Sequence, residues 1–496
     1  MVRRPIVIMA VFAMAGVYTF SGLVGNWGII IFSALALLTS ALLFVTMKAG
    51  MGVTVAWVVA FFVFGGITHY QHSVYMRDGE ILADGRVAIV GRVLDVDEWI
   101  DVSYEDRRRL VVQVSAVGGE AADFRIWLHT DDLETEFRYG DEIYAITNLV
   151  QAEVRRHSRD LQRAFVNLAR GKRAVGGATY LEVTGNSVRF WDAGRMAFNV
   201  RRYIKGTVGR LFAADEAAIA RGMMIGDKTG ITDEMHKAIR GSGISHLVVV
   251  SGLHVSILVM AFMMMFKGFA VNRVMLKILA AAFMVVFFVT VGYAPSVTRA
   301  VVMAMIAMFA GAFWRRGDIF TTIALALMAV LAFRPYSMFE PGFQLSFACV
   351  LGIALFARPL EKMGGGAIWK KFVILLIISV ATTVITAFAT ARFFYTVNLT
   401  AIWTNIVAIP IAQLALIGSY AIVILSVISE TLAGILVPAV RVLLRMMVIV
   451  AEFGARHTYV SMDARPMTFT GTALYGAILY VIYAVEKEAV KWLGER

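Results

Sequence analysis

A chain of 496 residues has room for about three soluble domains, yet 59% of this one is apolar and only 17% charged. A soluble core has no way to hide that much apolar surface and a bilayer does, so composition excludes an ordinary soluble protein and points to a polytopic membrane protein with one polar insertion. The net charge of +12 (47 Lys+Arg against 35 Asp+Glu) sits largely in short connections between apolar runs, as the positive-inside rule expects, and says little about substrate. Cys349 is the only cysteine, which rules out a disulfide framework or a thiolate metal site.

Residues 6–24, 27–46 and 51–69 are three apolar segments, each near the roughly 20 residues that cross a bilayer. Arg3 and Arg4 precede the first. Its apolar run is too long for a cleaved leader and two more spans follow, so it reads as a retained helix. Residues 1–70 form an N-terminal membrane unit whose third span exits to the outside near His69.

From 71 to 195 the chain is charged and alternates with period two. The pattern predicts strands over Arg86–Val96, Arg109–Val117, Phe124–His129, Glu142–Leu149 and Thr179–Phe190, with a helical stretch at Arg159–Ala169. Five short strands match a small extracytoplasmic Greek-key barrel of the OB type, and equally other small β-folds. The insertion carries 17 Lys+Arg and 21 Asp+Glu, about −4. Within it Arg155, Arg156, Arg159, Arg163, Arg170, Lys172 and Arg173 face only Glu153 and Asp160, about +5 locally. Such a patch, with Trp127 or Tyr180 nearby, suits a phosphate backbone; a solvated face, or a stripe on anionic lipid, explains it as well.

Residues 196–225 are a connector that opens with an interfacial amphipathic helix, where Arg201, Arg202, Lys205 and Arg210 alternate with Phe198, Tyr203, Ile204, Val208 and Leu211. The stretch Gly226–Leu258 then runs from a glycine-punctuated polar start straight into an apolar segment that still carries His246, Ser251 and His254. That combination predicts a broken helix lining a polar path, because irregular backbone at membrane depth needs protein or water around it. Further spans are expected at 245–266, 273–291, 295–313, 318–334, 342–357, 371–391, 400–428, 433–452 and 467–485, giving a channel-like membrane unit over 226–486 and a cytoplasmic tail over 487–496. The fold class is therefore a polytopic α-helical membrane protein of about twelve spans with an inserted small β-barrel.

Polar side chains in this unit are expensive in lipid and are functional candidates by default, with helix–helix contacts as the plainer explanation. They include Asp227, Lys228, His246, Ser251, His254, Arg299, Gln344, Ser346, Thr404 and Asn405. Asp227 and Lys228 also suit a solvated turn before a capped helix at Thr232. Arg299 follows Pro295 by four residues, at the helix end unfavourable for a cation, and so asks for a carboxylate or a phosphate. On one continuous helix His246 and His254 would lie about 12 Å apart, too far to share a zinc; with no HExxH and no cysteine set, no metal and no cofactor is expected. Ser251 and His254 are spaced to meet on one helical face as nucleophile and base, but no carboxylate nearby completes the arrangement.

Five motifs, GDKTGI (Gly226–Ile231), SGISHLVVVSGLHVSIL (Ser242–Leu258), PSVTRAVVM (Pro295–Met303), PGFQLSF (Pro341–Phe347) and NIVAIP (Asn405–Pro410), resemble in residue and order the ComEC-type competence family of DNA-internalisation channels. The resemblance implies an inner-membrane channel that passes one DNA strand, with an OB-like domain receiving DNA outside. It implies partners too: single-stranded DNA, membrane lipids, a DNA receptor, an ATPase and a separate nuclease. Many relatives add a metallo-β-lactamase-like nuclease domain, but this chain carries no HxHxDH motif, so an enzyme activity is not carried over. Two other functions stay open: a membrane enzyme using Ser251 and His254 on a lipid-borne substrate, and a scaffold whose outer domain binds a partner.

Overall fold

The computed structural model describes residues 5–21, 26–47, 51–81, 86–100, 106–132, 135–151, 172–186, 192–266, 272–292, 295–313, 319–356, 368–394, 396–457 and 461–463. The chain divides into two compact units, Met1–Val200 with Val302–Glu340, and Arg201–Val301 with Pro341–Arg496.

In the first unit, helices α1 (Pro5–Thr19), α2 (Asn26–Met47) and α3 (Met51–Ile81) follow the three apolar runs. Phe12 stacks on Trp57 with ring centroids 6.2 Å apart, and the Trp57 indole N–H donates to the Pro5 carbonyl at 3.0 Å, so α1 and α3 lock through an aromatic whose polar edge is satisfied. The helix α3 is longer than expected. It continues twelve residues past the anticipated exit at His69, because no proline interrupts Tyr70–Ile81 and its one poor helix former, Gly79, comes only near the end.

The insertion forms strands β1 (Arg86–Ile100), β2 (Asp106–Val117), β3 (Glu120–Thr130), β4 (Asp141–Gln151) and β5 (Lys172–Asn186). They pair in the order β1-β2-β3-β5-β4, and β4 returns to β1, closing the ring. All neighbours are antiparallel except β3 and β5, which run parallel. Gly118 and Gly119, with φ of 59° and 93°, supply the two left-handed residues that a two-residue β2–β3 hairpin needs. Alternate residues such as Leu110, Val112, Phe124, Ile126, Leu128 and Ile143 fill the interior. The fifth strand corrects the sequence pattern at its start, which is Lys172 rather than Thr179; 187–190 of the expected strand lie outside the described residues. Gly176 and Gly177 are strand residues held between β3 and β4. The helical stretch expected at 159–169 lies outside the described residues.

Helix α4 (Ala193–Leu211) is the expected amphipathic connector. In the second unit follow α5 (Ala214–Ile225), α6 (Asp233–Ser242), α7 (Gly252–Met265), α8 (Arg273–Val291), α9 (Pro295–Phe313), which ends in the first unit, α11 (Pro341–Phe356), α12 (Ile368–Phe394), α13 (Ala401–Ile428) and α14 (Glu430–Arg456). Helix α10 (Ile319–Phe333) belongs to the first unit. A short pair, β6 (Thr396–Asn398) and β7 (Ser461–Asp463), accompanies α13. Among the described residues five helices are long and apolar enough to cross a membrane: Trp27–Val45, Met51–Val74, Arg273–Val291, Ala401–Ile428 and Glu430–Arg456. Shorter apolar helices include Gly252–Met265, Ser296–Phe309 and Ile319–Phe333. The segment 467–485 lies outside the described residues.

The expected span at 245–266 is corrected in a way that matters for the site. Residues 244–251 are not helical, and α7 starts only at Gly252. Its 14 residues reach about 21 Å, short of the roughly 30 Å of hydrocarbon.

Candidate functional site

The stretch 226–258 folds as turn, helix, turn, helix. Gly226 ends α5 with φ of 75°. Asp227 then turns back to accept from both the backbone N–H (3.0 Å) and the hydroxyl (2.7 Å) of Thr229, while Lys205 of α4 places its ammonium 3.1 Å from the other carboxylate oxygen. Burial alone would raise the Asp227 carboxyl, yet the Lys205 cation and the Thr229 hydrogen bonds outweigh it and hold the group below its usual range. A depressed folded value means the ion pair contributes fully above the ordinary carboxylate titration near about 4 and is lost as pH falls through the lower folded value. Thermal melts of detergent-solubilised protein between pH 7 and pH 3 should therefore lose stability on acidification. In Asp227→Asn that acid-dependent loss shrinks, and neutral-pH stability drops by about 1–3 kcal/mol. Identical pH profiles for the two proteins would remove the role given to this pair.

Thr232 caps α6, its hydroxyl accepting from the Met235 N–H at 3.3 Å. The other end of α6 is tied by a residue that local pattern does not reveal. The Asn398 amide donates to the carbonyls of Arg240 (3.1 Å) and Gly241, and its own oxygen accepts from the Thr400 N–H at 2.9 Å. Thr404 adds a hydroxyl bond to the Ser242 carbonyl at 2.8 Å. The end of β6 and the first turn of α13 thus satisfy orphan carbonyls that the end of α6 would otherwise leave unpaired.

Gly243, with φ of 79°, begins the non-helical passage. The Ser296 hydroxyl of α9 donates to the Val250 carbonyl at 2.9 Å, and the backbone at Gly252 lies against Ala300, so α9 braces the passage where α7 begins. Ser251 occupies the N-cap position, and its backbone N–H donates to His254 Nδ1 at 3.3 Å. This imidazole therefore carries its proton on Nε2. The Ser251 hydroxyl is not hydrogen-bonded to His254. Both the hydroxyl and His254 Nε2 are buried without a hydrogen-bond partner among the described residues. That is not the geometry of an activated nucleophile, which needs its hydroxyl on the base. His246 is exposed within the passage. Because 244–251 is not helical, the separation expected for the two histidines on one helix does not apply. Among the described residues no three His, Cys, Asp or Glu side chains come together.

Arg299, in the first turns of α9, is 2% exposed. Its Nη1 donates to the Gly342 carbonyl of α11 at 3.3 Å, and its guanidinium lies 5.1 Å from the centre of the Phe347 ring. No carboxylate pairs with it among the described residues. Gln344 and Ser346 are half-buried on the same α11, and Asn405 is buried on α13 with its Oδ1 lacking a partner among the described residues. Lys228 is exposed beside Asp227. Asp227, Lys228, His246, Ser251, His254, Arg299, Gln344, Ser346 and Asn405 all fall in the second unit, where Ser251 meets His254 and Arg299 meets α11. Arg155, Arg156, Arg159, Arg163 and Arg170 lie outside the described residues. Lys172 and Arg173 open β5.

The family model described as "Competence protein" matches residues 223–488, more than half of the chain and the whole of this candidate site. The chain belongs to the competence-protein family. ComE operon protein 3 of Bacillus subtilis (strain 168) is 32% identical over 157 residues, covering 32% of this chain and 20% of that protein. Competence protein ComA of Neisseria gonorrhoeae is 27% identical over 299 residues, covering 57% of this chain and 42% of that protein. This competence-family chain therefore spans less than half the length of either relative. No solved structure matches it.

Proposed function

We propose that this competence-family chain is an inner-membrane channel that passes single-stranded DNA into the cytoplasm during natural transformation. One observation carries the reading. Where the chain enters apolar surroundings it breaks its helix and buries polar atoms with no hydrogen-bond partner among the described residues: the Ser251 hydroxyl, His254 Nε2 and Asn405 Oδ1. Close by on α9 sits the Arg299 guanidinium, with no counter-anion. Unpaired polar groups at such depth cost several kcal/mol each against lipid, and water or a polar substrate removes that cost. Both relatives bear competence names, which supports the same reading. A single strand asks only for a narrow groove with cations and stacking surfaces, whereas a duplex with a major groove about 12 Å wide demands far more.

In this reading residues 71–195 are extracytoplasmic and receive the strand. The closed order β1-β2-β3-β5-β4 with β3 parallel to β5 supports an OB-type barrel. On its outer surface Arg109 stacks 4.2 Å from the Trp127 ring centre, an arrangement suited to a base beside a phosphate. Energy and the DNA receptor come from separate proteins. The enzyme alternative loses support from the Ser251 hydroxyl, which has no base hydrogen-bonded to it among the described residues.

Deletion of the gene, with strand-specifically labelled linear DNA as substrate, tests the proposal. Loss of protected intracellular label, restored by the intact gene, is the expected result. Undiminished entry in the deletion strain refutes a channel role.

A further inference from the structure

Helix α14 carries three distinct faces. At about 100° per residue, Ala433, Val440, Leu444, Met447 and Ala451 form the buried face against the rest of the second unit. Ile435 (69% exposed), Val442 (59%), Ile449 (54%) and Phe453 (63%) form an exposed apolar face fit for lipid. Between them, within an arc of about 80°, fall Glu430, Arg441, Arg445, Glu452 and Arg456, all exposed. This polar stripe runs the length of a helix that is otherwise long and apolar enough to cross a membrane.

The two central arginines are the telling pair, since cations at mid-membrane face a protein interior or a water-filled cavity rather than lipid. Arg441 is oriented by the protein: its Nε lies 3.3 Å from the buried carboxylate of Glu216, and its Nη2 donates to the Leu211 carbonyl at 2.9 Å. Arg445, one turn on and about 6 Å along the axis, has no ionic partner among the described residues. Glu430, at the far end, is occupied by Arg210 at 3.2 Å. The middle of the stripe is thus an oriented guanidinium beside one free to bind.

We propose that Arg441 and Arg445 of α14 line a water-filled path and bind the phosphodiester backbone of a polyanion in transit. Two guanidiniums a helical turn apart offer planar forks to successive phosphates along a stretched strand. The proposal rests on the channel reading and adds to it two residues of α14, a helix whose end packs at Gly454 against Ser242 of α6.

The test uses the full chain in lipid nanodiscs, in a Cys349→Ser background, with single cysteines at Arg445→Cys, Val442→Cys and Ile449→Cys. A hydrophilic anionic thiosulfonate should label position 445 and spare 442 and 449. A 20-nucleotide oligodeoxythymidylate should slow labelling at 445 by about tenfold at low salt, and less at high salt. In cells, Arg445→Ala should lower DNA entry about tenfold while Arg445→Lys retains most of it. An unreactive 445, a 445–445 disulfide between copies, or labelling indifferent to oligonucleotide would each overturn the proposal. The two readings fail separately: normal DNA entry in the deletion strain removes the channel, whereas a defective deletion strain with an inert position 445 removes only the stripe.

Discussion

Gly243→Val should leave little folded protein in the membrane. Two costs fall on one atom. The backbone there has φ of 79°, which strains a β-branched residue by about 1–3 kcal/mol. A Cβ would also stand 2.5 Å from the Cβ of Ala401, where overpacking adds about 1–3 kcal/mol. Together they approach the whole stability of many domains. Membrane-fraction immunoblots and thermal melts of the solubilised chain provide the measurement, with Gly243→Ala expected to fall between wild type and valine. Wild-type abundance and melting for Gly243→Val would mean that α6 does not end where it is placed.

Arg299→Leu should act in the opposite sense on stability and abolish function. A guanidinium buried with one carbonyl and an aromatic face, and no carboxylate among the described residues, is held against its solvation. An apolar side chain of similar volume should therefore melt at the same temperature or higher. Yet the cation is what a phosphate would meet. Transformation is expected to drop about 100-fold or more, the equivalent of about 2.7 kcal/mol at a required step, with Arg299→Lys intermediate because a point charge replaces a planar fork. A destabilised Arg299→Leu protein would mark a structural arginine. A stable, fully active one would remove it from the path.

Much of this architecture follows from local pattern, and the exceptions have identifiable causes. Helix α8 occupies the same residues, 273–291, that hydropathy marks out, because Asn272 caps it (Oδ1 accepting from Val274 N at 3.0 Å) and Gly292 ends it. Hydropathy does not see the break at 244–251: Leu247, Val248 and Val250 are as apolar as a span and are buried, but they are buried as a turn, held by Ser296 from 46 positions away. Hydropathic alternation also misses the start of β5, because the strand conformation of Gly176 and Gly177 is imposed by partners in β3 and β4. The broken character of 226–258 was legible in its glycines and imidazoles. The Lys205–Asp227 pair, the Asn398 bonds to α6 and the α14 stripe were not, because each depends on distant segments meeting or on reading one helix as three faces.

One consequence of α3 concerns mechanics rather than recognition. Its 31 residues extend about 46 Å, some 16 Å more than the hydrocarbon layer is thick. The surplus turns include Arg77, Asp78 and Glu80, residue types that are costly in hydrocarbon. A helix with that surplus meets a bilayer of changing thickness by tilting rather than by drawing its polar end into hydrocarbon.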